Sequence, residues 1–176
     1  MIAKQQKEEG EAIVSTVLFD DVTDVIHDRV PIGDIKKLTE EDHFVRGCTA
    51  LLDAVGGAIH HIGNVRKYAR EEDRPAKTLF VITTDGLENA SRNYSFKDVK
   101  KMIERQKEKY NWEFLFLGAN IDAIEAARNM GISRVRKCKS GAEMAMAFTG
   151  STWKEDIVRD YEKRGKENGR SGRKEQ

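Results

Sequence analysis

Cysteine and proline are almost missing, with two of each in 176 residues. Cys48 and Cys138 stand far apart, without a C-x-x-C spacing or a second pair, so the chain can assemble neither a zinc knuckle nor a disulfide framework. Both are expected as buried free thiols. An excess of one charge is lacking too, since 31 Lys and Arg face 30 Asp and Glu. That balance offers no global field for nucleic acid or an anionic membrane. No apolar stretch approaches the roughly 18 to 20 residues of a membrane helix. The opening Met1-Ile-Ala-Lys-Gln-Gln-Lys is too polar for a signal peptide, so the expected compartment is the cytoplasm. Also absent are a Gly-x-Ser-x-Gly elbow, a Walker A loop and a Gly-x-Gly-x-x-Gly after a strand. Hydrolase, nucleotide-triphosphatase and dinucleotide readings therefore lack their local chemistry.

What is present suits one soluble domain with a single core. "MIAKQQKEEG" reads as the last turns of a charged helix stopped by Gly10. The β-branched run "AIVSTVLF" (residues 12–19) is broken by Asp20-Asp21 and followed by "TDVIHDRVPI", a β-hairpin whose second strand is a half-exposed edge. A polar loop with Thr39-Glu-Glu-Asp42 precedes a long amphipathic helix starting near Thr49, in which Val55, Ile62 and Val65 recur at helical spacing. Its Gly56-Gly57 pair costs about 1 kcal/mol per residue relative to alanine, which close packing against a sheet would offset.

"KTLFVITT" (residues 77–84) is a continuous apolar run and reads as a strand buried on both faces. Ser95 and Asp98 cap a helix carrying Phe96, Val99 and Ile103. "WEFLFLGAN" is a further buried strand, "DAIEAARNMG" a short helix stopped by Gly131, and "RVRKC" a last strand. Ser140 and Glu143 form a capping box for a final helix running to about Arg164. Strands separated by helices predict an α/β fold: a doubly wound, mostly parallel sheet with helices on both faces and one antiparallel edge strand from the hairpin. The expected division is a domain over residues 1–162 and a basic, flexible tail over 163–176 with no large apolar side chain.

In such sheets ligands bind beyond the carboxyl ends of the strands. Asp85, followed by Gly86, stands at such an end, as a ligand or as an Asp-Gly turn bonding its own backbone. Thr49, at a loop-to-helix junction, is either an N-cap or a hydroxyl offered to a hard cation. Asn120 and Asp122 are helix caps or crevice residues, and Glu88 and Asn89 are candidates for orienting Asp85. His60 and His61 point about 100° apart on a helix and cannot chelate together as an i, i+4 pair can.

"VSTVLFDDVTDVI", "RGCTALLDAVGGAI", "LFVITTDGLENAS" and "WEFLFLGANIDAIEAARNMGI" resemble, in order and spacing, the later strands and helices of von Willebrand factor A (vWA) domains of the stand-alone bacterial and phage type, over roughly residues 1 to 150. The resemblance implies a divalent cation, Mg²⁺ or Mn²⁺, at a metal-ion-dependent adhesion site (MIDAS), with Thr49 as the second-loop threonine and Asp85 as the third-loop aspartate. It implies a protein-binding module, not an enzyme, whose partner offers a carboxylate to the metal.

The family's first-loop Asp-x-Ser-x-Ser motif and the central strand before it are not in this chain. The expected site is therefore partial, with weak Mg²⁺ binding. A central strand contributes side chains worth about 1.5 to 3 kcal/mol each, against a net stability of about 5 to 15 kcal/mol. Exposed flanks of the strands at 12–19 and 77–84 are then expected to invite each other, a second chain, or self-association. The alternative reading is a Mg²⁺-dependent phosphoryl-transfer or nuclease-type enzyme on a similar sheet, with Asp85 as metal ligand.

Overall fold

The computed structural model of the chain describes residues 11–36 and 47–138. The expectations for Met1 to Gly10, for Thr39 to Asp42, for the helix from Ser140 and for the tail at 163–176 fall outside the described residues.

The β-branched run after Ala12 forms β1 (Ile13–Phe19), which pairs antiparallel with β2 (Thr23–Pro31). Asp20 sharpens the turn between them, its Oδ1 accepting the Val22 N–H at 2.7 Å. Two register shifts interrupt the ladder, on either side of Thr16. At the first, Arg29 takes a left-handed conformation (φ 54°) and donates its N–H to Ser15 Oγ at 3.1 Å. Bulges of this kind twist an edge away from further pairing. That suits β2, in which only His27 and Val30 are even half-buried.

The remainder alternates helix and strand: α1 (Leu51–Tyr68), β3 (Leu79–Thr84), α2 (Phe96–Tyr110), β4 (Glu113–Gly118), α3 (Ile121–Asn129) and β5 (Val135–Lys137). The three strands form a parallel sheet in the order β3-β4-β5. The boundaries follow local chemistry. Ser95 and Asp98 form the expected reciprocal capping box of α2, and Asn111 ends that helix in the left-handed region at φ 54°. Gly131 (φ 75°) follows α3 as the expected stop.

All three helices share one core with one face of the sheet. Leu51, Val55 and Ile59 of α1, Val99 and Ile103 of α2, and Ala123 and Ala127 of α3 cluster with Ile82, Phe114 and Phe116. Consecutive parallel strands joined by right-handed crossovers put their helices on the same side, which accounts for α2 and α3. The other face holds a small cluster of Leu117 and Cys138 with half-buried Val81 and Leu115. No described helix crosses that face, so the predicted helices on both faces are seen on one only among the described residues. None of the described helices is long and apolar enough to cross a membrane.

Four expectations need correction. The hairpin is not an antiparallel edge of the parallel sheet but a separate two-stranded sheet, because β1 forms no ladder with β3. The run at 77–84 is not buried on both faces: β3 lies at a sheet edge with only Ile82 and Thr84 buried, and β4 takes the central place instead. Cys48 is exposed, and only Cys138 is buried. Gly56 packs against an aromatic ring of a loop and not against the sheet, since a Cβ there would lie 2.6 Å from Tyr94 Cγ.

The adjacent glycine is different, for a Cβ on Gly57 would meet nothing within 4 Å. The pair therefore separates packing from propensity. Gly56→Ala is expected to lower stability by about 1 to 3 kcal/mol through overpacking. Gly57→Ala should raise it by about 0.5 to 1 kcal/mol through helix propensity. Urea unfolding of both variants checks this, and shifts of the same sign would refute the assignment of Tyr94 as the packing partner.

Candidate functional site

The carboxyl end of β3 and the start of α1 are remote in sequence and are joined by hydrogen bonds to short polar side chains. Ala50 is the N-cap of α1 and offers no side-chain bond, so the first-turn N–H groups need other acceptors. Glu88 Oε2 takes the Leu52 N–H at 2.8 Å, and Ser91 Oγ takes the Asp53 N–H at 3.1 Å. Glu88 also accepts from Ser91, through both N–H and Oγ, which fixes its direction. A loop some forty residues downstream thus caps the helix.

Asp53 returns the contact from the helix side. Its two oxygens accept the backbone N–H groups of Arg92, Asn93 and Tyr94 at 2.9 Å each, and Asn93 Nδ2 at 3.0 Å. Burial works to raise the Asp53 carboxyl, but these four donors outweigh it and hold it below the usual aspartate range. The side chain was not among the residues singled out from sequence. Its one legible signal is an acidic residue in the first helical turn, which the helix dipole favours; the partners that make it important lie in another loop.

Thr49 is fixed by its backbone. Its N–H donates to Asn89 Oδ1 at 2.9 Å, and its C=O accepts the N–H groups of Asn89 and Ala90 at 3.1 and 3.3 Å. Thr49 is therefore not the helix cap, and its hydroxyl is not spent on that task. The hydroxyl lies against Gly86, where an added Cβ would run into Thr49 Oγ1 and approach Thr49 Cβ to 3.3 Å. Glycine is required at 86 for this close approach. Glu88 and Asn89 serve Leu52 and Thr49, not the carboxylate of Asp85.

The turn after β3 is closed by threonine, with Thr84 Oγ1 accepting the Gly86 N–H at 3.2 Å. The Asp85 carboxylate is exposed and has no hydrogen-bond or ion-pair partner among the described residues. Its carbonyl accepts Asn120 Nδ2 at 2.6 Å, while Asn120 Oδ1 accepts the Ala123 N–H at 2.7 Å. Asn120 thus acts both as the cap of α3 and as a tether of the Asp85 loop. Asp122 lines a shallow cavity of about 130 Å³ together with Leu87, Glu88, Phe96 and Glu125.

Thr49 therefore lies against Gly86, the residue after Asp85, at the carboxyl edge of the sheet. An octahedral Mg²⁺ takes six oxygens, and this pair supplies one hydroxyl and one carboxylate. No group of three or more His, Cys, Asp or Glu able to hold a metal occurs among the described residues. His60 and His61 lie elsewhere, with His61 Nε2 2.9 Å from Asp28 Oδ1, joining α1 to the hairpin. No protein-family model matches the chain, and the searches of curated proteins and of solved structures returned no match.

Asp53 carries a pH dependence with a definite sign. A carboxyl lowered in the folded state adds stability that is fully present above its unfolded value near 3.9 and is lost as pH falls through the lowered folded value. Asp53→Asn should cost about 2 kcal/mol at pH 7, because an amide NH₂ would face backbone donors. It should also flatten the loss of stability below pH 4. Unfolding midpoints between pH 2.5 and 7 measure both, and parallel wild-type and variant profiles would contradict the assigned role.

Proposed function

We propose that the chain is a protein-binding module of the vWA type whose binding edge is the carboxyl edge of the parallel sheet. The observation that carries this reading is the packing of Thr49 against Gly86, the residue after Asp85, with the Asp85 carboxylate exposed and without a partner among the described residues. On this reading Thr49 and Asp85 are the second- and third-loop members of a MIDAS. Such a site takes Mg²⁺ or Mn²⁺ and presents it to a carboxylate of a partner protein in the cytoplasm. With one carboxylate and one hydroxyl from the chain, most of the coordination sphere falls to water, and affinity is weak.

Isothermal calorimetry with Mg²⁺ should give no resolvable binding at millimolar concentrations. Affinity of about 1 mM or tighter that disappears in Asp85→Ala would mean that the site is complete as it stands, against this reading. Assays of generic phosphoesters with Mg²⁺ or Mn²⁺ test the enzyme alternative, which turnover abolished by Asp85→Ala would favour.

A further inference from the structure

Near the amino end of the parallel sheet, two buried polar atoms of complementary kind have no hydrogen-bond partner. Trp112, just before β4, is 2 % exposed, and Gln106 of α2 is 9 % exposed. Among the described residues nothing bonds the indole Nε1–H of Trp112, a donor only, or Oε1 of Gln106, an acceptor only. A buried polar atom left in this way costs the fold at least as much as a lost hydrogen bond, so each such atom calls for a partner.

The two residues are neighbours, yet their side chains do not bond each other. The Trp112 N–H donates to the Gln106 carbonyl at 3.2 Å. The indole, however, is held by rings: its centroid lies 5.3 Å from that of Phe80, on which it stacks, and 6.5 Å from that of Tyr110. The Gln106 amide lies against α1, where a Cβ on Gly63 would stand 3.6 Å from Gln106 Nε2, at ordinary van der Waals distance. Glycine at 63, inside a helix that alanine would favour, thus leaves a space of about methyl size beside a polar amide. Arg66, one turn further on the same face of α1, bonds the Pro75 carbonyl through Nη1 at 2.8 Å and lies over the Tyr110 ring. Its buried Nε has no partner among the described residues.

We propose that one internal water is bound in this seam between α1 and α2, beside Gly63. It accepts the Trp112 Nε1–H, donates to Gln106 Oε1, and keeps a second lone pair for the Arg66 Nε–H. Three bonds are the usual complement of a buried water, and a small space with polar walls is enough to hold one. An apolar occupant would leave all three atoms without partners, so the chemistry of the walls selects water. The same site accounts for the glycine: helix propensity alone would replace Gly63, but a methyl group there takes the place of the water. The seam lies at the opposite end of the sheet from Thr49 and Asp85, and nothing in it rests on the function proposed for that edge.

Water NOE and ROE spectra of the nitrogen-15-labelled full chain test this. Trp112 and Trp153 are its two tryptophans, so Trp153→Phe assigns the Trp112 Hε1 resonance. That proton should show water cross-peaks of opposite sign in the two spectra, the mark of a water held far longer than one on the surface. Tyr110→Phe should keep them; their loss in that variant would assign them to relay through the phenol hydroxyl and overturn the proposal. Gly63→Ala, which fills the space without a clash, and Gln106→Leu, which removes the acceptor, should each abolish them, with dispersed amide spectra reporting that both variants are folded. Absence of a water cross-peak at Trp112 Hε1 in the unaltered chain would overturn the proposal whatever the variants do. Cross-peaks that persist in both Gly63→Ala and Gln106→Leu would place the water elsewhere and equally overturn it.

Discussion

The reciprocal capping between α1 and the loop after β3 is the constraint on which the site depends. A helix start leaves backbone donors that must find acceptors once they are buried. Here they find Glu88 and Ser91, while the N–H groups of the loop find Asp53. Each carboxylate takes several donors at once, and charge-assisted bonds of this kind are the stronger class. Two segments some forty residues apart thereby become one rigid corner. Neither holds its shape through its own local bonds alone.

That corner explains why two side chains at the sheet edge are left available. With α1 capped from the loop, Thr49 is anchored through its backbone by Asn89 and Ala90, and its hydroxyl is directed at Gly86. With the turn after β3 closed by Thr84, Asp85 is not needed as a turn former. Asn120 then ties the Asp85 carbonyl to the start of α3. Structural duties fall on Asp53, Glu88, Ser91, Asn89, Thr84 and Asn120, while the Thr49 hydroxyl takes no part in capping α1 and the Asp85 carboxylate has no partner among the described residues.

The sheet carries an unresolved asymmetry. β4 is central by position and by burial, whereas β3 is central by composition and lies at an edge. The hairpin carries two register shifts and an exposed β2, and among the described residues no comparable irregularity occurs in β3. The parallel sheet and the separate hairpin are linked near the ends of β1 and β3 through Asp20, Ala50, Thr49 and Gly86.

The sequence by itself determined the elements. Period and composition located the hairpin, α1 and the three parallel strands, and Ser95, Asp98 and Gly131 placed helix ends, because caps and stops act through neighbours within a few residues. It also pointed to Thr49 and Asp85, through their places at a helix start and a strand end. Only the tertiary structure decided which neighbours these elements acquire. Tyr94 over Gly56, Glu88 and Ser91 on α1, Asp53 on the Arg92–Tyr94 backbone and Asn120 on Asp85 are all contacts between segments remote along the chain, and nothing in local spacing encodes them. Strand order has the same origin: an apolar run reads alike whether its second neighbour is present or not, so the edge position of β3 and the separation of the hairpin could be seen only once the strands were paired.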